Sequence, residues 1–245
     1  MKEKRIIIPQ PAPQNASPYS DLIENYNVQI EFTPFFKVVP IEVKEFKLQK
    51  IDPSAFSAVL FTSKSAIDVF FNFSEELKFP ISESMKYFCI SEPIALYLQK
   101  YIVYRKRKIF FGNGTLASIV EIIKAKHREE NFLLTTTDNC NSNLVKLFKK
   151  SKLKHSVAIL FKTVFCDLSH INIESFDIIV LYSPFDIASL LDNFPNFNPK
   201  KISIATFGPA TLKRVKELNW EGTIITPTEE APSIAQALTL YLEQQ

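Results

Sequence analysis

The stretch Ser57-Ala58-Val59-Leu60-Phe61-Thr62-Ser63-Lys64-Ser65-Ala66-Ile67 decides the fold class. Ser57 to Phe61 is an apolar run without alternation, the mark of a strand covered on both faces. The hydroxylated pair Thr62-Ser63 ends it, and the residues beyond predict a helix from about Ser65 to Leu77. The same unit recurs along the chain. Strands at Tyr87 to Ile90, Lys108 to Phe111 and Phe132 to Leu134 precede helices at Pro93 to Tyr101, Leu116 to Lys126 and Asn143 to Lys150. Strands at Ile178 to Tyr182, Ile202 to Thr206 and Ile224 to Ile225 precede helices at Phe185 to Phe194, Ala210 to Leu218 and Ser233 to Leu242. Ile6 to Ile8 and Pro18 to Tyr26 form one more such pair upstream. Buried strands alternating with amphipathic helices predict an α/β protein built of parallel sheets flanked by helices.

Two segments break the rhythm. Val28 to Phe46 and Val157 to Leu168 read as long and extended, with no helix of their own. The βα units outnumber what one modest sheet holds, and 245 residues suffice for two domains. The two long segments are therefore expected to be crossings between domains. The chain would leave a first domain near Val39, build a second and return near Thr163. That division predicts a discontinuous domain of residues 1–39 and 165–245, a second domain of residues 43–160, and linker strands at 40–42 and 161–164.

Composition removes several function classes. The four glycines, Gly112, Gly114, Gly208 and Gly222, form no Walker A loop. A net charge of +3 is too mild for a nucleic-acid partner and is compatible with a small anionic ligand. Cys89, Cys140 and Cys166 are odd in number and far apart, and no CxxC occurs, so a reducing, cytoplasmic setting is expected. His127, His155 and His170 are isolated, and no metal-ligand spacing is present. The apolar run at Ile6 to Ile8 is too short for a secretory signal, and no run is long enough to span a membrane. The basic cluster Lys100 to Lys108, with Tyr101 and Tyr104 interleaved, reads as a solvated face rather than an RNA contact.

Ligands of parallel sheets bind beyond the carboxyl ends of the strands, at helix N-termini. The junctions there are Thr62-Ser63-Lys64, Ser91-Glu92-Pro93, Gly112-Asn113-Gly114-Thr115, Thr135 to Asp138, Ser183-Pro184, Gly208-Pro209 and Thr226-Pro227-Thr228. Taken singly, each is explained by helix capping. Taken together, they would offer free amides and positive dipole ends to a ligand rich in carboxylates or phosphates. Gly112 to Ala117 also fits the looser dinucleotide fingerprint G-x-G-x-x-A, with Asp138 as its acidic residue, although the strand lies mid-chain and the acid comes late.

Several of these pieces, in this order, resemble the uroporphyrinogen-III synthase family. They are Phe61-Thr62-Ser63-Lys64-Ser65-Ala66-Ile67, Phe161-Lys162-Thr163-Val164, Tyr182-Ser183-Pro184, Ile204-Ala205-Thr206-Phe207-Gly208-Pro209-Ala210-Thr211, and Thr226 to Leu238. The resemblance implies two α/β domains joined by a two-stranded β-ladder, with the active site in the cleft between them. It implies closure of hydroxymethylbilane, a linear tetrapyrrole carrying eight carboxylates, to uroporphyrinogen III. Water is lost and ring D inverted, by way of an azafulvene and a spiro-pyrrolenine. No cofactor or metal is implied, nor a membrane partner, and the expected state is a monomer.

On that resemblance the ligand-contacting positions are Thr62, Ser63, Lys64, Ser91, Gly112, Asn113, Gly114, Thr115, Lys162, Ser183, Gly208 and Pro209, mostly through backbone N–H. Tyr182 and Thr211 are the candidate catalytic residues. One departure stands out: the family often has tyrosine where this chain has Phe161, which has no hydroxyl to assist loss of water. Ala210 likewise stands where a second threonine is common. Two rival readings follow, a non-catalytic tetrapyrrole- or anion-binding homologue and a nucleotide-using enzyme built on Gly112 to Ala117.

Overall fold

A computed structural model describes residues 3–14, 17–138 and 143–244, and Cys140 lies outside them. The chain divides into two compact units, residues 1–37 with 164–245, and residues 38–163. It opens in the first unit with β1 (Lys4–Ile8), α1 (Ser20–Asn25) and β2 (Val28–Phe32), and passes through β3 (Phe36–Pro40) into the second. There it forms α2 (Val43–Leu48), β4 (Ala58–Phe61), α3 (Lys64–Leu77), β5 (Lys86–Cys89), α4 (Glu92–Tyr97) and β6 (Ile109–Phe111). α5 (Leu116–Lys126), β7 (Phe132–Thr137), α6 (Asn143–Lys150) and β8 (His155–Phe165) complete it. Back in the first unit come β9 (Ile178–Leu181), α7 (Pro184–Asn193), β10 (Ser203–Phe207), α8 (Pro209–Glu217), β11 (Gly222–Thr226) and α9 (Ile234–Glu243).

The first unit is a five-stranded sheet in the order β11-β10-β9-β1-β2, parallel throughout. Ile6, Ile7 and Ile8 of β1 are all fully buried, because both faces of this central strand are covered. Ile6 and Ile8 pack with Leu22 of α1 and Leu238 of α9, while Ile7 packs with Leu190 of α7 and Val215 of α8. The second unit is a six-stranded sheet in the order β3-β8-β7-β4-β5-β6. Its faces divide the same way. Val59 and Phe61 meet Ile67 and Phe70 of α3, and Leu60 and Phe88 meet Ile119 of α5 and Phe148 of α6.

The expected extended segment Val28 to Phe46 is broken in the structure into β2, β3 and α2. The cause is local. Glu42 and Glu45 form a capping box, each side chain accepting from the other's backbone N–H, and this starts α2. The helix then swings Phe46 inward against Phe73 of α3, with ring centres 5.1 Å apart. The second expected extended segment is β8, which ends at Phe165 rather than Leu168. The expected helix at Pro93 to Tyr101 is α4 followed by a tighter 3₁₀ turn at Leu98–Lys100.

Candidate active site

In the first unit, the polar residues at the carboxyl ends of β9 and β10 are bonded to one another. The Tyr182 hydroxyl lies 2.6 Å from that of Tyr19. Either can donate, so the one that accepts keeps its own O–H for a ligand. Burial raises the Tyr182 phenol well above its ordinary range, and the Tyr19 bond and the nearby Asp186 charge push the same way. Burial also raises Tyr19. Both phenols therefore stay protonated at neutral pH and act as hydrogen-bond donors. Thr211 is fully enclosed in α8, and its Oγ1 donates to the Tyr182 carbonyl at 3.0 Å. Its hydroxyl therefore holds the Tyr182 backbone carbonyl.

Ser183 caps α7, and its surroundings change the expected anion contact there. Asp186 Oδ2 accepts from the Tyr182 N–H at 2.9 Å, the Ser183 N–H at 2.8 Å and Ser183 Oγ at 3.1 Å. The N–H groups of Tyr182 and Ser183, at the entrance to α7, are therefore occupied by the chain's own carboxylate. α8 is different. Gly208 caps it with no side-chain bond, Pro209 has no N–H to lose, and the amides of Ala210 and Thr211 have no acceptor within the helix. Gly208 adopts φ +81°, a conformation open to glycine, and its N–H donates to the Thr226 carbonyl at 2.7 Å. Phe207 leaves the sheet edge beside Tyr182, with ring centres 6.0 Å apart.

Asp186 is 2% exposed, and burial pushes its carboxyl up to about 6 despite the hydrogen bonds it accepts. An unfolded aspartate titrates near 3.9. The folded protein thus keeps this proton to higher pH than the unfolded chain does. The resulting stability is complete below about pH 4 and is lost as pH rises through about 6. Asp186→Asn removes that dependence. Thermal melts across this range should show the parent losing stability relative to the variant, and a constant difference would overturn the assignment.

In the second unit, Thr62 is exposed after β4, and Ser63 Oγ caps α3 by accepting from Ala66 N–H at 3.1 Å. Lys64 begins α3 with Nζ 5.5 Å from the centre of the Tyr97 ring. Ser91, Gly112 and Asn113 line one shallow hollow of about 520 Å³ together with Glu92. The amides of the turn from Gly112 to Thr115 are all taken by other groups of the chain. Gly112 and Gly114 N–H donate to the Cys89 and Ile90 carbonyls, Asn113 N–H to Ser118 Oγ, and Thr115 N–H to Asn113 Oδ1. A Cβ on Gly112 would lie 3.0 Å from the Ile119 nitrogen and 3.1 Å from the Ile90 carbonyl oxygen, so any side chain there would crowd the backbone around it. With these amides occupied, a dinucleotide pyrophosphate has no glycine-rich cradle to enter, and Asp138 is engaged by Thr163.

Lys162 of β8 is ion-paired with Glu45 of α2, Nζ lying 2.9 Å from both carboxylate oxygens. Its charge is therefore balanced within the unit, where the sequence suggested a free partner for a ligand carboxylate. Phe161 is half-buried against the second unit's core.

The family model for uroporphyrinogen-III synthase HemD matches residues 17–236. The chain belongs to the uroporphyrinogen-III synthase family. The uroporphyrinogen-III synthetase of Helicobacter pylori has the same fold at 16% identity and a TM-score of 0.54, covering 99% of this chain and 100% of that one. A mutant uroporphyrinogen III synthase of Thermus thermophilus matches at 11% identity and a TM-score of 0.50, with 99% and 100% coverage. No curated protein matches the sequence. As a uroporphyrinogen-III synthase family member, the chain combines phenylalanine at Phe161 with a tyrosine pair at the end of β9.

Two residues of this site escaped the sequence reading. Asp186 had a signal, lying three positions after Ser183 in the spacing of a capping box. Tyr19 had none, being 163 residues from its partner in the chain.

Proposed function

We propose that this protein closes hydroxymethylbilane to uroporphyrinogen III, inverting ring D and releasing water. The observation that carries the reading is the Tyr19–Tyr182 bond at the mouth of β9, in a chain matched over residues 17–236 by the family model. Loss of the bilane hydroxyl needs a proton or a strong hydrogen bond at the departing oxygen. Phe161 supplies neither. The tyrosine pair supplies one free O–H whichever way its internal bond points.

The azafulvene formed by water loss is intrinsically reactive, and unassisted closure gives the non-inverted ring. The protein's task is therefore chiefly to fold the chain and aim ring D, a problem of positioning. Substrate acetates and propionates suit the unoccupied first-turn amides of Ala210 and Thr211 in α8 and of Lys64 and Ser65 in α3. Thr62, Gly208 and Pro209 border those turns, and Ser91 precedes α4. The free thiols Cys89 and Cys166 fit a reducing, cytoplasmic setting, and no helix of the described residues is long and apolar enough to cross a membrane.

Incubation with hydroxymethylbilane, followed by oxidation and chromatographic separation of the porphyrin isomers, should yield the inverted isomer well above the no-protein control. Only the non-inverted isomer, at the control rate, would defeat the proposal. Tight bilane binding in that case would leave a non-catalytic binding homologue.

A further inference from the structure

The second unit holds another concavity, away from the strand carboxyl ends. It lies among the C-terminal half of α3, the loop entering β5 and the segment entering β6, at the opposite end of that sheet from Ser91 and Gly112. Its volume is about 440 Å³, within the usual size of small-molecule pockets. One wall is aromatic. Phe71 stacks on Tyr101 with ring centres 4.5 Å apart and planes 5° from parallel, and faces Tyr87 at 6.4 Å and 23°.

Two kinds of polar group converge on this wall. Tyr87 is 4% exposed, lines the hollow, and its hydroxyl has no hydrogen-bond partner among the described residues. Its oxygen is open to water within the hollow, so a ligand's acceptor can take that O–H. Burial also pushes this phenol up to about 12, so it stays a donor. The Tyr101 hydroxyl, in contrast, is already engaged by Asp68. Arg105 and Lys108 supply the positive charge, and neither is ion-paired among the described residues. Glu83 is the one acidic residue of the lining, so the hollow carries a net positive charge. The basic cluster thus has two of its members lining an aromatic hollow, with a donor at its wall.

We propose that this hollow is a ligand site for a small aromatic anion, a one- or two-ring compound bearing a single carboxylate or phosphate. The ring lies against Phe71 and Tyr101, the anionic group meets Arg105 and Lys108, and an acceptor atom of the ligand takes the Tyr87 hydroxyl. The site is independent of the ring-closure reading.

The test is a titration of protein carrying ¹³C-labelled tyrosine, followed by NMR, with 3-phenylpropionate, phenyl phosphate and the neutral 3-phenylpropanamide as probes. Tyr87→Phe assigns the Tyr87 signal and should weaken binding several-fold. One or both anions should shift Tyr87 and Tyr101 saturably, and which anion does so separates a carboxylate site from a phosphate site. The amide should bind about tenfold more weakly, and the double substitution Arg105→Ala/Lys108→Ala should cost about tenfold with the melting temperature kept. The proposal is overturned if neither anion binds saturably, if the amide binds as well, or if the double variant binds as the parent does. It is equally overturned if a short oligoribonucleotide engages Arg105 and Lys108 while neither anion shifts Tyr87.

Discussion

Tyr182→Phe is expected to lower kcat for ring closure by roughly a hundred- to ten-thousand-fold, the range of a positioned proton donor. The substitution removes one hydroxyl oxygen and leaves the ring's packing beside Phe207 and the first unit's core in place. Tyr19 keeps its own hydroxyl in that variant, but it is 5% exposed and loses the partner that orients it. Tyr19→Phe should cost less, on the order of tenfold, because Tyr182 is the more accessible of the two and can still donate. The double variant should be no slower than Tyr182→Phe alone, because groups that act as one unit are not additive. Stability should fall by only about 1 kcal/mol, the usual net value of one hydrogen bond. Initial rates and isomer ratios together decide the matter, since bilane that escapes the protein closes to the non-inverted ring. A higher KM with unchanged kcat would make Tyr182 a binding residue, and full activity would put the donor elsewhere.

The parallel α/β class was readable because strands buried on both faces leave no polar alternation. Ile6 to Ile8, Ala58 to Phe61 and Ile178 to Leu181 are all buried along their whole length. The interruption at Val43 was not read, because the signal for α2 is a pair of glutamates around an otherwise β-prone stretch. Phe46 favours strand by propensity and is helical by packing, a case in which tertiary contact overrides local preference.

The candidate site was legible as a set of strand ends and less so as a set of available donors. Sequence shows that Ser183, Gly112 and Thr115 sit at helix starts. It does not show that Asp186 already takes the Tyr182 and Ser183 amides or that the amides from Gly112 to Thr115 are bonded to neighbouring parts of the chain. Amide occupancy is decided by contacts a few tenths of an ångström long or short, which residue type alone does not encode. The same holds for Lys162, whose charge was visible but whose partner Glu45 lies 117 residues earlier.

Phe88→Ala should produce the largest loss of stability in the second unit, about 3–5 kcal/mol. Phe88 is fully buried on β5, between β4 and β6. Its ring meets Phe110 at 4.9 Å, Phe132 at 5.0 Å and His127 at 5.2 Å. All three neighbours are rings, themselves held by the sheet or by the end of α5, so none can relax easily into the space left behind. A loss of that size is a large share of the 5–15 kcal/mol that ordinary domains possess, roughly. The chain's one tryptophan, Trp220, packs against Phe197 in the first unit and so reports on that unit alone. Far-ultraviolet circular dichroism reports on both. If the units unfold independently, Phe88→Ala should split the melt, with an early loss of ellipticity and a Trp220 fluorescence transition that stays where the parent's is. If they unfold as one, both probes should move down together. A melt unchanged by both probes would mean that the aromatic cluster around Phe88 contributes far less than its burial implies.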